Sequence, residues 1–421
     1  MDDNDAPKHA HYNRLFKQNK RTNQGINKMQ DVFLLSATRT AIGTFGGTLK
    51  EKTPIELGIE VAKSAIERSG LTADDFGHAV FGNVIHTEPR DMYISRCISI
   101  GAGMADAAPA LTVNRLCGSG LQAIVSAAQL IMLGDADAVL AGGSEVMSRG
   151  GYLVPAMRWG ARLGHGEMTD MMLGALHDPF GIGHMGITAE NVAKDYNINR
   201  EAMDAFALAS QQRAVAAIEA GYFAEQITPI DIVSRKQTTS FQVDEHVRSN
   251  TTLDTLQGLR PAFDKEGMVT AGNSSGINDG ASAVTLGTAA MAEKSGKAPL
   301  AKIVNYGFGG VPARIMGMGP VPASKMALER AGLTAGDIDI VESNEAFAAQ
   351  ACAVSQELGF SSDMVNPNGG AIALGHPVGA TGSIIMTKLA YELHRTGGRY
   401  GLATMCIGGG QGIAVIIDTK I

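Results

Sequence analysis

Three short stretches of this 421-residue chain set a nucleophile or a base beside glycines that clear space around it. In "NRLCGSGLQAIVSAAQLIML" Cys117 stands at the start of a long apolar run that reads as a helix. A thiol attacks as its thiolate, and the positive end of a helix lowers thiol pKa, so Cys117 is a candidate nucleophile. Gly118 and Gly120 remove bulk, which lets a carbonyl approach and backbone N–H groups face it. The same pattern also suits a small residue buried at a helix start. In "NPNGGAIALGHPVGATG" His376 sits in a glycine-rich turn, where Pro377 biases it away from helical geometry and Thr381 is placed to cap the next helix. A histidine held there can pair with a thiol or donate to a developing oxyanion, although a structural histidine fits equally. In "ATMCIGGGQG" Cys406 ends an apolar strand, where it could act as acid or base or lie in the core, and Gly408 offers an open N–H. "ESNEAFAAQA" puts Asn344 and Glu345 at a strand-to-helix junction; Asn344 can hold a water or ligand oxygen there, or cap the helix.

The elements around these loops follow an α/β pattern, with short β-branched runs alternating with amphipathic helices and implying a mainly parallel sheet. Strands are expected at 32–35, 78–84 and 137–143, and a helix at 54–70 closed by Gly70. The chain also repeats itself. "AIERSGLTADD" (65–75) returns as "ALERAGLTAGD" (327–337) with eight of eleven positions identical, each copy following a helix and leading into a strand. The segments after Val113 and Val365 echo each other more weakly, with a glycine-rich loop, a helix and a strand ending in glycines. Two similar halves are expected, with function where their corresponding loops meet. The expected division is 29–146 with about 278–299 for the first half, 300–421 for the second, and an inserted loop domain at 147–277 covering the site.

Bulk properties exclude several classes. A net charge of −7 and the lack of a basic stripe argue against a nucleic-acid binder. Cysteines 97, 117, 352 and 406 include no Cys-x-x-Cys pair, which disfavours a structural zinc site and fits a reducing, cytoplasmic setting. No metal site is expected, since His9 and His11 fall in the N-terminal extension and no other histidine pair has ligand spacing. Residues 116–134 are uncharged and approach the length of a membrane span. Yet Gln122, Ser126 and Gln129 make one face polar, opposite Leu121, Ile124, Val125, Ala128 and Met132, as in a half-buried helix. Residues 1–28 mix basic and acidic groups without an apolar segment and are expected to be a disordered extension, with Met29 opening the folded unit.

Together "NRLCGSGLQA", "NEAFAAQAC", "GGAIALGHPVGATG" and "CIGGGQG" resemble the thiolases, in that family's order and spacing, from about Met29 to Ile421. The resemblance implies a thiolase fold: an α/β chain with two duplicated βαβαβαββ halves in a five-layered αβαβα core, plus a loop domain. It implies an acyltransferase of fatty acid metabolism, the reversible Claisen condensation and thiolysis of short 3-ketoacyl-CoA by a ping-pong route, and a homotetramer assembled through the loop near "SRGGYLVPAMRWGARLG". Position by position, Cys117 matches the acylated residue, and His376 its activator and, with an Asn344-bound water, one oxyanion hole. Cys406 matches the acid/base at the α-carbon, and the N–H groups of Cys117 and Gly408 a second oxyanion hole. For coenzyme A, a substrate and not a cofactor, the resemblance nominates Leu176, His184 and Met185, then Phe263, Ala271 and Ser275. Arg248 is nominated near the phosphates, and Met316, Ala346 and Phe347 at the acyl end. The segment "LHDPFGIG" (176–183) points to acyl chains beyond four carbons, with a strict acetyl-CoA acetyltransferase as the alternative. A ketoacyl synthase would carry two histidines, or a histidine and an asparagine, in place of Cys406. A non-catalytic acyl-CoA carrier on this fold would not need Cys117, His376 and Cys406 together.

Overall fold

The computed structural model describes residues 29–235 and 237–421; the expectation for residues 1–28 lies outside them. The first half contributes strands β1 (Phe33–Arg39), β2 (His78–Gly82), β3 (Ala110–Val113), β4 (Ala138–Val146) and β5 (Asn278–Gly287). The second contributes β6 (Ala301–Gly310), β7 (Ile340–Ser343), β8 (Tyr400–Ile407) and β9 (Gln411–Asp418). Their order is β7-β8-β9-β6-β1-β5-β4-β2-β3. Read outward from the β1–β6 junction, the halves match. β5 and β9 are each second and antiparallel to both neighbours, β4 and β8 come next, and β2 and β7 follow in parallel. Where β3 completes the first half, the second has only a parallel bridge from Val341 to Val365. The sheet is therefore mixed and not mainly parallel: each half closes with an antiparallel hairpin-like pair that alternating β and α text does not reveal.

Side chains alternate between layers as the two-residue period of a strand requires. In β9, Ile413, Val415 and Ile417 join a central core, while Ala414 and Ile416 face an outer one. In β4, Val139 and Ala141 face the centre, and Ala138 and Leu140 the other outer layer. Helix α1 (Pro54–Ser69) covers the first half. In the centre lie α2 (Ser119–Leu133) and, later in the chain, a partner from the second half. Helices α3 (Met185–Asp195) and α4 (Arg200–Glu219) belong to the stretch between the halves, and α5 (Pro320–Ala331) and α6 (Ala348–Leu358) cover the second half. The central partner of α2 is α7 (Thr381–Thr396). Five layers result, helix, sheet, paired helices, sheet and helix.

The repeated sequence makes repeated structure. Helices α1 and α5 end on left-handed Gly70 (φ 79°) and Gly332 (φ 67°), a conformation that favours glycine. Thr72 with Asp75 and Thr334 with Asp337 then form the same reciprocal cap.

The two central helices cross where neither can carry a side chain. A Cβ on Gly382 would lie 2.1 Å from Leu121 N, and one on Gly120 2.7 Å from Ser383 N. Helix α2 has the length and apolarity of a membrane span, but Leu121, Ile124, Ala128 and Ile131 are fully buried in the central layer. Each large one is worth about 1.5–3 kcal/mol of burial. The donors of its polar face are used inside the protein: Gln122 donates to Ser126 and Gln129 to the Tyr306 hydroxyl.

Candidate active site

Strand β3 ends at Val113, and a tight turn delivers Cys117 to the start of α2. The Asn114 carboxamide accepts from Leu116 N, and Ser119 Oγ accepts from Arg115 N while donating to Leu116 O. Leu116 is held at φ 46°, a left-handed conformation unusual for leucine and worth roughly 1–2 kcal/mol of strain. The Gly408 N–H is near enough to the Cys117 sulfur to favour its thiolate. The resting thiol, however, is not activated as its helix position suggests. Burial pushes it up to about 11, the N–H bonds oppose this, and the Glu145 charge adds to it. Taking a thiolate out of water costs more than the helix terminus returns, so Cys117 needs a base.

A histidine able to serve as that base lines the same cavity and comes from the second half. His376 is buried, and its Nδ1 lies 2.6 Å from Thr381 Oγ1. Thr381 donates its own proton to the Pro377 carbonyl at 2.9 Å, so its oxygen is left to accept from Nδ1–H. The ring is thereby fixed with Nε2 unprotonated, 3.5 Å from Asn344 Nδ2. Burial lowers the ring to about 4, so the imidazole is neutral near neutral pH. Thr381 is thus the orienting partner of His376 and not the expected helix cap; Ala380 holds the cap position, with no side-chain bond.

Two further ties fix the His376 loop. Asn278 Oδ1 accepts from His376 N at 2.9 Å. Buried Glu145, on β4, accepts from Asn83 Nδ2, Val84 N and Ile85 N in its own half and from Gly379 N across the interface. All four donors converge on one carboxylate, which joins the loops beside both reactive groups.

Cys406 is the penultimate residue of β8 and is fully buried. Burial raises its thiol strongly, and a charge on Cys117 raises it further, which places the two sulfurs within electrostatic reach. Asn344 follows β7 directly and is 1% exposed, with Oδ1 unpartnered among the described residues. It does not cap α6, whose cap position belongs to Phe347.

These groups meet at a cavity of about 330 Å³. Cys117, His376 and Gly408 line it; Cys406 and Asn344 are not among its lining residues, though Asn344 adjoins His376 and Cys406 feels the charge of Cys117. All the residues nominated for coenzyme A also line it: Leu176, His184 and Met185; Arg248; Phe263, Ala271 and Ser275; and Met316, Ala346 and Phe347. His184 stacks on Phe263 at 4.6 Å between centroids, and Phe263 meets Phe347 edge-on at 6.0 Å. Burial lowers the His184 pKa, with His177 adding to it, and His184 caps α3 by accepting from Gly186 N. Near the sulfur the wall is apolar, with Val84, Met147, Ile277 and Val378, none of them chosen from the sequence. His246 was missed as well; nothing in "VDEHVRSN" sets it apart except its spacing from Arg248.

Comparison with known proteins agrees with this geometry. The family profile described as "Thiolase, N-terminal domain" matches residues 32–290, and "Thiolase, C-terminal domain" matches 297–419. "Beta-ketothiolase BktB" of Cupriavidus necator is 59% identical over 390 residues, covering 92% of this chain and 99% of that protein. "Acetyl-CoA acetyltransferase" of Escherichia coli is 49% identical over 393 residues, covering 93% and 99%. Among solved structures, the Bacillus anthracis acetyl-CoA acetyltransferase superposes with a TM-score of 0.91 at 44% identity, covering 93% of this chain and 100% of that one. Human mitochondrial 3-ketoacyl-CoA thiolase in complex with CoA gives a TM-score of 0.90 at 44% identity, covering 94% and 100%. With both domains matched in order over nearly all its length, and with the Cys117 thiol and a buried imidazole lining one cavity, the chain belongs to the thiolase family.

Proposed function

We propose that the chain catalyses reversible thiolysis of short 3-ketoacyl-CoA through an acyl-enzyme on Cys117. Cys117 passes its proton to His376 Nε2, and its sulfur adds to the C3 carbonyl of the ketoacyl-CoA. The C2–C3 bond breaks. The shortened acyl group stays on sulfur, and the two-carbon fragment leaves as the enolate of acetyl-CoA. Cys406 protonates that enolate at C2. Its thiolate then takes the proton of an incoming CoA thiol, which attacks the acyl carbonyl, releases acyl-CoA and returns Cys117 to receive its proton from His376. His376 and a water bound by Asn344 stabilise the enolate oxygen, and the N–H groups of Cys117 and Gly408 the tetrahedral oxyanion. Condensation runs the same steps in reverse.

The observation that carries this reading is the His376–Thr381–Pro377 relay, which leaves Nε2 as a base on a cavity also lined by a thiol that needs one. Coenzyme A esters are substrates, and no cofactor takes part in these steps. The exposed apolar side chains of Tyr152, Leu153, Met157, Trp159 and Leu163 support a homotetramer joined through this loop. Four unpaired cysteines support a reducing, cytoplasmic setting.

The test is a thiolysis panel with acetoacetyl-, 3-ketovaleryl-, 3-ketohexanoyl- and longer 3-ketoacyl-CoA, followed by loss of ketoester absorbance. Activity extending to six carbons is expected from the apolar wall at Val84, Met147, Ile277 and Val378. Activity confined to acetoacetyl-CoA would establish the strict acetyltransferase, the name borne by the Escherichia coli relative. No turnover at all would leave a carrier.

A further inference from the structure

Loop 242–251 is held on both sides of one free histidine. Asp244 pairs with the buried Arg39 guanidinium through two bonds of 2.7 and 2.9 Å and accepts from Ile42 N. Glu245 accepts from the backbone and hydroxyl of both Thr44 and Thr48. Downstream, Arg248 N donates to Gln211 Oε1 at 2.9 Å. Between these ties His246 reaches the cavity wall, along with Arg248. Its ring packs where Gly276 has no side chain: a Cβ there would stand 2.5 Å from Cε1 and 2.7 Å from Nε2. The same point lies 2.7 Å from Asn278 Oδ1, the atom that accepts from His376 N.

Among the described residues neither ring nitrogen of His246 has a hydrogen-bond partner; its neighbours act on it only by burial and by the charge of Arg248. Both effects hold the ring neutral, with a pKa lowered to about 4, so it presents one N–H and one lone pair. An immobilised polar group that the protein leaves unpaired, on a wall otherwise carrying Met185, Phe263, Met316 and Phe347, is placed to read a ligand. Its position says which part. On one side His246 adjoins Asn278, which holds the backbone of His376, itself on the wall with Cys117. On the other it stands two residues from Arg248, and both border a second cavity lined by Asn250, Thr251 and Thr255. Between the thioester and the phosphates of coenzyme A, the polar groups able to donate and accept are the amides of the pantetheine arm.

We propose that His246 is a substrate-contacting residue whose imidazole hydrogen-bonds a pantetheine amide and favours thioesters that carry it. This rests on the reaction proposed above. The test compares wild type, H246F and H246A in acetoacetyl-CoA thiolysis, and measures CoA binding calorimetrically to the C117A form of each. The large ring and the small methyl both remove the hydrogen bonds but fill the space differently, so either variant serves if the other does not fold. Both are expected to raise the KM and Kd for CoA about tenfold, the worth of one buried hydrogen bond. With acetoacetyl ethyl thioester and ethanethiol, which lack the amide, kcat/KM should change by less than about twofold. An unchanged Kd for CoA overturns the proposal, as does an equal loss with the amide-free pair. If the wild type turns over no ketoacyl-CoA, the proposed reaction fails, and the calorimetric comparison still decides the contact.

Discussion

In the first half, β3 passes to α2 through residues 114–118, a turn with room for one reactive side chain, Cys117. In the second, the corresponding passage from Val365 to Thr381 winds through a short helical turn at Ala371–Leu374 before delivering His376. The strand order on either side is the same. In the proposed mechanism one half therefore supplies the group that is acylated, Cys117, and the other supplies His376 and Cys406, which move the protons. Duplication provided two equivalent loop positions beside one crossing of helices, and divergence in loop length allowed one to reach the nucleophile of the other. The difference also bears on the burial-raised thiol: the histidine proposed as its base sits on a separate, independently braced loop and is buried neutral.

The comparison breaks most visibly at Cys117. C117S should abolish the acetyl adduct formed with acetyl-CoA, seen by intact mass, and lower thiolysis by roughly 10⁴-fold or more. An adduct persisting on another residue would remove the first half from the covalent step. Next, C406A should still acylate Cys117 but exchange the α-protons of acetyl-CoA into heavy water about 10²-fold more slowly, the usual worth of a placed acid/base. Wild-type exchange in that variant would take Cys406 out of the mechanism. The smallest effect sharpens the role of the histidine. In the wild type the acid limb of kcat/KM should fall as pH drops towards about 4, where protonation of His376 removes its lone pair. T381V releases Nδ1–H, so the rate at neutral pH should fall about tenfold for the loss of one hydrogen bond. If T381V leaves the rate and the acid limb unchanged, the tautomer is set by something other than Thr381.

Much of this was legible in the sequence because it is local. The αL glycines and threonine–aspartate caps of "AIERSGLTADD" and "ALERAGLTAGD" depend on adjacent residues, and they formed as written. The cavity residues carried by motifs around Cys117, His376 and Gly408 could be nominated for the same reason. What escaped depends on contacts far apart in the chain. The Cys117 thiol was expected to be easily ionised because its helix is visible in the text, whereas its burial under Gly408 and its neighbour Glu145 are not. Thr381 looked like a cap because its hydroxyl begins a helix, yet the imidazole competes for it through a bend at Pro377. His246 gave no pattern beyond its spacing from Arg248, since its position comes from Asp244 meeting Arg39 across 205 residues. The antiparallel closing pairs of each half were hidden likewise, because alternating strands and helices suit either direction of pairing.

The crossing of α2 and α7 at Gly120 and Gly382 bears on any attempt to recombine this protein. A chimera that takes residues before 300 from one relative and the rest from another keeps its reactive loops only if both sides arrive without a side chain at that point. One methyl on either helix would lie within 3 Å of the other backbone. The pair is a compatibility rule that each half imposes on its counterpart, and it predicts which exchanged halves assemble before any question of substrate arises.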